Sequence, residues 1–223
     1  MLNNAVRLSN KEFNMYTLYG YPRTRSVRVA WALEEIGIPY SYHAVNLKAG
    51  EHFSEGFRKI NPAGKIPALL TSEGTLSESA AILTFLADKH GLQEFIPAPG
   101  SFSRGLYEQT MSFLVTELEQ PLWAIAKHTF ALPAEKRLPE VIDVAQWEFN
   151  RALSVFSTML GANTFLVDNS FSMVDVVAGH ILSWARASKL DITHDNVASY
   201  ADIVLSREAY ERAWRKEVAH LSE

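Results

Sequence analysis

Runs of apolar residues at two different spacings divide the chain. Residues 15–19 (MYTLY) are aromatic and β-branched, the composition of a strand, and Gly20, Tyr21 and Pro22 break it. From 25 to 36 the apolar positions Val27, Ala30, Trp31 and Leu33 recur near helical spacing, and Gly37 stands where a glycine closes a helix. Pro39 blocks further helix. Residues 40–47 read as a second strand, with Tyr40, Tyr42 and Ala44 alternating against Ser41 and His43. A short helix over 51–60, a turn at Asn61-Pro62-Ala63-Gly64, and short strands over 67–71 and 75–76 around Glu73-Gly74 follow. A helix over 77–90 has Ile82, Leu83, Phe85 and Leu86 as its apolar face and ends at Gly91. Residues 15–91 therefore spell β-α-β-α-β-β-α: a parallel strand pair, then an antiparallel hairpin.

Pro97-Ala98-Pro99-Gly100 is a linker by composition. Beyond it the pattern predicts helices over 103–128, 140–160, 173–187, 197–205 and 207–219, with 165–167 the single strand candidate. The divisions are an extension over 1–14, expected to be disordered, an α/β domain over 15–92, a linker over 93–102, and an all-α domain over 103–223. One helix start is strongly marked. Ser172 occupies the N-cap and Asp175 the third helical position, a reciprocal capping box, while Phe171 and Val176 form a hydrophobic staple. This signature belongs to folding, and Asp175 is not read as catalytic.

Composition narrows the chemistry. Hydrophobic residues make up 48% and charged residues 21%, enough for ordinary cores. The net charge of −4 leaves no basic footprint for nucleic acid. There is no cysteine, so disulfides, thiolate metal sites and a protein thiol nucleophile are excluded, and any thiol chemistry needs a thiol brought by a substrate. No apolar run is long enough to span a bilayer, and the first fourteen residues lack a signal-like apolar stretch. Cytoplasm is the expected compartment.

Four segments in order, LYGYPRTRSVRV from Leu18, NPAGKIPAL from Asn61, LSESAAI from Leu76 and the capped helix at Ser172, resemble the cytosolic glutathione transferase superfamily. The likeness covers nearly all of the chain after Met15 and points to a serine/threonine-type bacterial or phi/theta-like member. It implies a thioredoxin-like domain followed by a helical domain. It implies an enzyme that conjugates the thiolate of glutathione to a small hydrophobic electrophile, in detoxification. Glutathione would be the co-substrate, with no metal or bound organic cofactor, and the assembly a homodimer. Other glutathione-dependent reactions, namely peroxide reduction, isomerisation or dehalogenation, and non-catalytic ligand binding are the competing readings.

The resemblance also assigns residues. It makes the Ile66-Pro67 bond cis, with the Ile66 backbone pairing the cysteinyl part of glutathione as an added strand would; the plain alternative is that Pro67 only starts a strand. Ser79, at a helix start with free N–H groups, would take the γ-glutamyl carboxylate, and Glu78 the ammonium. The alternative there is a simple cap involving Ser77. Lys65 and His52 are candidates for the glycyl carboxylate, or else solvated surface residues. Thr24 is the candidate activating hydroxyl, donating to the thiolate, in a position where serine is the commoner residue; it could equally be the first helix's N-cap. Ser26 and Tyr19 are the rival activating groups, and Tyr21 and Arg23 are further candidate lining residues. The stripe Tyr107, Met111, Phe113 and Leu114 fits a core as readily as a pocket.

Overall fold

The computed structural model describes residues 16–221, apart from the side chain of Leu221, so the expected extension over residues 1–14 lies outside the described part. Strand β1 (Tyr16–Gly20) leads through α1 (Ser26–Ile36) to β2 (Tyr40–Ala44). Helix α2 (Glu55–Ile60), the hairpin β3 (Ala68–Thr71) and β4 (Gly74–Ser77), and α3 (Ser79–Lys89) complete the first unit. The sheet order is β2-β1-β3-β4, with β1 and β2 parallel and the other pairs antiparallel. This is the expected thioredoxin-like βαβαββα order. Strand alternation sends Leu18 into the core shared with α1, and sends Tyr19 to the other face, where its ring meets Phe57 of α2 at 6.1 Å.

The second unit is helical: α4 (Phe102–Phe113), α5 (Glu119–Ala126), α6 (Glu140–Leu160), α7 (Met173–Ala187), α8 (Asp195–Leu205) and α9 (Glu208–Val218). Its core is continuous with that of the first unit, since α1 packs against α3, α7 and α9. Helix α1 is the hub because every residue from Ser26 to Leu33 is buried. It stops at Gly37, whose φ of 68° is left-handed backbone.

Four expectations need correction. The helix expected over 103–128 is interrupted by π-helical turns at Leu114–Leu118 and Lys127–Ala131. Pro121, on the turn after the first, has no N–H to donate back, and a widened turn accommodates that loss. The helix expected over 51–60 is a 3-10 turn, Glu51–Phe53, and then α2, because Ser54 is extended and its side chain caps α2 by accepting from Phe57 N at 3.1 Å. The strand candidate at 165–167 contributes only an isolated bridge between Val167 and Ser170. Its N–H groups are taken by side chains: Asn169 Oδ1 accepts from Thr164 and Phe165, and Asp175 Oδ1 from Leu166. Finally, Ser77 ends β4 opposite Ala68 and does not cap α3, whose N-cap is Glu78.

Candidate functional site

The loop between β1 and α1 is held by its own hydroxyls. Arg23 at φ 64° turns the chain so that Thr24 faces back. Thr24 Oγ1 donates to the Tyr21 carbonyl at 2.7 Å and accepts from Ser26 N at 3.3 Å, capping the turn just ahead of α1; the N-cap of the helix itself is Arg25, not Thr24. Ser26 is fully buried; its hydroxyl donates to Glu217 Oε1 of α9 at 2.6 Å, and lies 3.0 Å from Thr24 Oγ1. Tyr42 OH also donates to Glu217 Oε1, at 3.3 Å, while Oε2 of that buried carboxyl has no hydrogen-bond partner among the described residues. Burial pushes the Glu217 carboxyl up to about 8. The ring of Tyr19 packs against His43 and Phe57, on the α2 side of the sheet.

Behind the loop lies a buried ion cluster. Arg28 of α1 uses all three edges of its guanidinium: Nε donates to His180 Nδ1 at 3.1 Å, Nη1 to Ser79 Oγ at 3.2 Å, and Nη2 to Glu119 Oε2 at 2.6 Å. Arg25 Nε binds the other oxygen of Glu119. The π-helical turn at Leu114–Leu118 immediately precedes Glu119 and sets it facing α1. Burial raises the Glu119 carboxyl, but Arg28 and Arg25 outweigh it and leave the group below its usual value. His180 is pushed well down, first by burial and then by Arg28 and Arg25, and its Nδ1 accepts from Arg28, so the ring is neutral.

The remaining expected residues lie around this centre. The Ile66–Pro67 bond is cis. Ile66 precedes the sheet ladder, which starts at Ala68, and its backbone has no hydrogen-bond partner among the described residues. Ser79 is buried at the first position of α3, next to exposed Glu78, whose φ of 66° is an unusual backbone for a residue with a Cβ. His52 is half-buried, with Nδ1 enclosed and without a hydrogen-bond partner among the described residues. Its carbonyl sits against the turn before Lys65: a Cβ at Gly64 would lie 2.9 Å from it. Lys65 is exposed, and its carbonyl accepts from Asn61 Nδ2 at 2.6 Å. Sequence reading missed the Arg25–Glu119–Arg28–His180 cluster. Its members are far apart along the chain, and only the buried helical position of Arg28 hinted at a partner.

Together these features define a two-domain protein whose thioredoxin-like half carries a cis-proline loop and an acid-lipped helix start, supported from the helical half by buried ion pairs. Residues 14–88 match the glutathione S-transferase N-terminal domain and residues 120–208 the glutathione S-transferase C-terminal domain. The chain belongs to the glutathione S-transferase family. A zeta-class glutathione S-transferase of Euphorbia esula is 45% identical over 82 residues, 36% of each chain. The mouse glutathione S-transferase theta-1 is 30% identical over 145 residues, 63% of this chain and 60% of that one. The matches thus span 36% and 60% of the length of these two relatives. A sphingomonad glutathione S-transferase solved in complex with glutathione superposes with a TM-score of 0.79 at 27% identity, over 90% of this chain and 98% of that one.

Proposed function

We propose that this protein is a glutathione transferase: it binds glutathione as co-substrate and directs the thiolate at a small hydrophobic electrophile. The observation that carries the reading is the start of α3, where the Ser79 hydroxyl, backed by the buried Arg28 guanidinium, stands at a helix terminus with free N–H groups. That arrangement suits the γ-glutamyl carboxylate, and exposed Glu78 suits the ammonium beside it. The unpaired backbone of Ile66 offers an edge to the cysteinyl unit, and His52 and Lys65, on neighbouring turns, suit the glycyl carboxylate. The sphingomonad relative bound to glutathione supports the same ligand.

In this reading Thr24 Oγ1 gives up the Tyr21 carbonyl and donates to the thiolate. The sulfur forms a bond to the electrophilic carbon while the leaving group departs with its electron pair. No metal is required, and no cluster of metal ligands occurs among the described residues. A homodimer in the cytoplasm, acting in detoxification, is the setting the family supports. No helix among the described residues is long and apolar enough to cross a membrane.

Retention on immobilised glutathione is the direct test. The wild type should bind, and Glu78→Ala should elute earlier, with affinity down about tenfold for a lost charge-assisted contact. Failure of the wild type to bind would end the reading. For activation, Thr24→Ala should raise the pKa of bound glutathione by ~1 unit, read as thiolate absorbance against pH, with little change in affinity. An unchanged titration would return Thr24 to its capping role. One observation favours a second reading. The Thr24 hydroxyl proton is already spent on the Tyr21 carbonyl, at 2.7 Å. Binding without conjugation across aryl halides, epoxides and peroxides would identify a glutathione-dependent carrier.

A further inference from the structure

The ion cluster behind the loop does not balance. It contains the guanidiniums of Arg25 and Arg28 and a single carboxylate, Glu119. His180 adds no charge, because its Nδ1 accepts from Arg28 Nε and therefore carries no proton. Among the described residues no other acid is paired with either arginine. Arg28 is fully used: each edge of its guanidinium has a partner, and its charge is matched by Glu119. Arg25 is the unmatched member. Its Nε reaches Glu119, but neither Nη group has a hydrogen-bond partner among the described residues. A buried or half-buried positive charge without a counter-ion is unfavourable unless a ligand supplies one. The γ-glutamyl end of glutathione brings one ammonium and one carboxylate, so it leaves the excess in place.

The surroundings of Arg25 show what kind of group would supply the charge. Its guanidinium lies over two indoles, 5.3 Å from the ring centroid of Trp123 on α5 and 5.2 Å from that of Trp184 on α7. Both rings are half-buried, and the arginine side chain is 30% exposed, so this slot opens to solvent. It faces the helical domain and adjoins Thr24 in the chain. Two cation–π contacts restrain the guanidinium, and its Nη groups remain without a hydrogen-bond partner among the described residues. A restrained, planar pair of N–H donors matches a carboxylate in two-point contact, and the adjacent indoles match a flat π-system.

We propose that the electrophile taken at this end of the cleft is a halogenated aromatic acid, with its carboxylate held by the Nη groups of Arg25 and its ring beside Trp123 and Trp184. The assignment rests on the glutathione-transferase reading and narrows its electrophile from apolar to anionic aromatic. In the reaction the thiolate adds at an activated ring carbon, a carbon–sulfur bond forms, and the halide leaves with the bonding pair. The carboxylate stays intact as a handle. Arg25 is thus a specificity residue, in contact with substrate but not with the bond being broken.

Two probes of the same shape separate charge from ring. A chloronitrobenzoate with its chlorine para to the carboxylate, and the matching chloronitrobenzamide, differ only in charge at the handle. Each rate is divided by the uncatalysed rate with glutathione at the same pH. The wild type should favour the benzoate in kcat/KM by about tenfold or more, the effect of one charge-assisted two-point contact. Arg25→Met, which keeps an unbranched side chain beside the indoles, should abolish that preference through KM and leave the benzamide within about twofold. Arg25→Lys should restore only part of it. Binding is read independently of turnover. Protein saturated with the unreactive S-methylglutathione is titrated with nitrobenzoate or nitrobenzamide, following quenching of tryptophan fluorescence. Tighter binding of the benzoate, lost in Arg25→Met, supports the assignment. Equal binding of the two probes overturns it. So does an Arg25→Met variant that weakens both probes alike while raising the pKa of bound glutathione, since Arg25 would then serve the thiolate. Failure to bind S-methylglutathione would remove the transferase reading, and the probe titration on unliganded protein would still report on Arg25.

Discussion

Burial holds the proton on Glu217, and no cation among the described residues is paired with it. From α1 it faces Ser26 and from β2 Tyr42, both hydrogen-bond donors without charge, with Tyr40 beyond them. The neighbouring Lys216 turns away to the carbonyl and ring of Tyr40. With a folded pKa of about 8 against an ordinary carboxyl value near 4.5, the sign is fixed. The stability this group contributes is fully present below the unfolded value and is lost as pH rises through the folded one. Each unit is worth about 1.4 kcal/mol, so the loss amounts to several kcal/mol by about pH 9. Urea midpoints from pH 5 to 9 should therefore decline, and Glu217→Gln, neutral at every pH and able to accept from Ser26, should flatten the decline. A glutamine variant with an unchanged pH slope would place the titration elsewhere. At this scale the sequence was legible where local pattern suffices: it places Ser79 and Glu78 at a helix start and Ile66-Pro67 just after a turn, while the roles proposed for them come from the family resemblance. The partners of Arg25, Arg28 and Ser26 are not legible, because Glu119, His180 and Glu217 come from helices that only the tertiary fold brings near.

Among the elements, α7 best illustrates what periodicity can and cannot convey. Its capping box and its buried face of Val174, Val177, Ala178, Ile181 and Ala185 are as the pattern predicts. What the pattern misses is the reach of Asp175. Besides Ser172 N at 2.8 Å, that carboxylate accepts from Leu166 N at 3.2 Å and Tyr200 OH at 2.8 Å, so one side chain ties the helix start to the preceding loop and to α8. The same reach explains why residues 165–167 look strand-like yet form no ladder. Asp175→Ala removes the acceptor of two buried hydroxyls, Ser172 and Tyr200, and of two N–H groups, and should cost about 3 kcal/mol, with Ser172→Ala costing ~1 kcal/mol. Thermal melts would show the difference, and glutathione affinity should be preserved at temperatures where both variants are folded. The π-helical turn before Glu119 was illegible for a different reason: a widened turn has no residue signature of its own, and Pro121 reads only as a residue unfavourable inside a helix.

Across the whole molecule, α1 belongs equally to both halves. Trp31 is fully buried, its ring lies 4.7 Å from that of Tyr210 on α9, and its Nε1 donates to Glu35. Glu35 is in turn held by Arg207 through two bonds of 2.5 and 2.8 Å. On α7, a Cβ at Gly179 would stand 2.9 Å from the Trp31 ring and 2.8 Å from Val204 on α8. Gly179→Ala should therefore cost about 1–3 kcal/mol, since neither buried neighbour can yield easily. Because the core is shared, fluorescence and circular dichroism should report one coincident unfolding transition, in the variant as in the wild type. Two separated transitions would show that the halves are energetically independent. The dependence of the first loop on the last helix has a consequence for how the protein is made. Translation delivers Tyr21, Thr24 and Ser26 early, but the carboxyl that fixes them arrives 191 residues after Ser26. A nascent chain can thus assemble its sheet while the loop between β1 and α1 still lacks a brace, and the loop gains it only once the ribosome has released the end of α9.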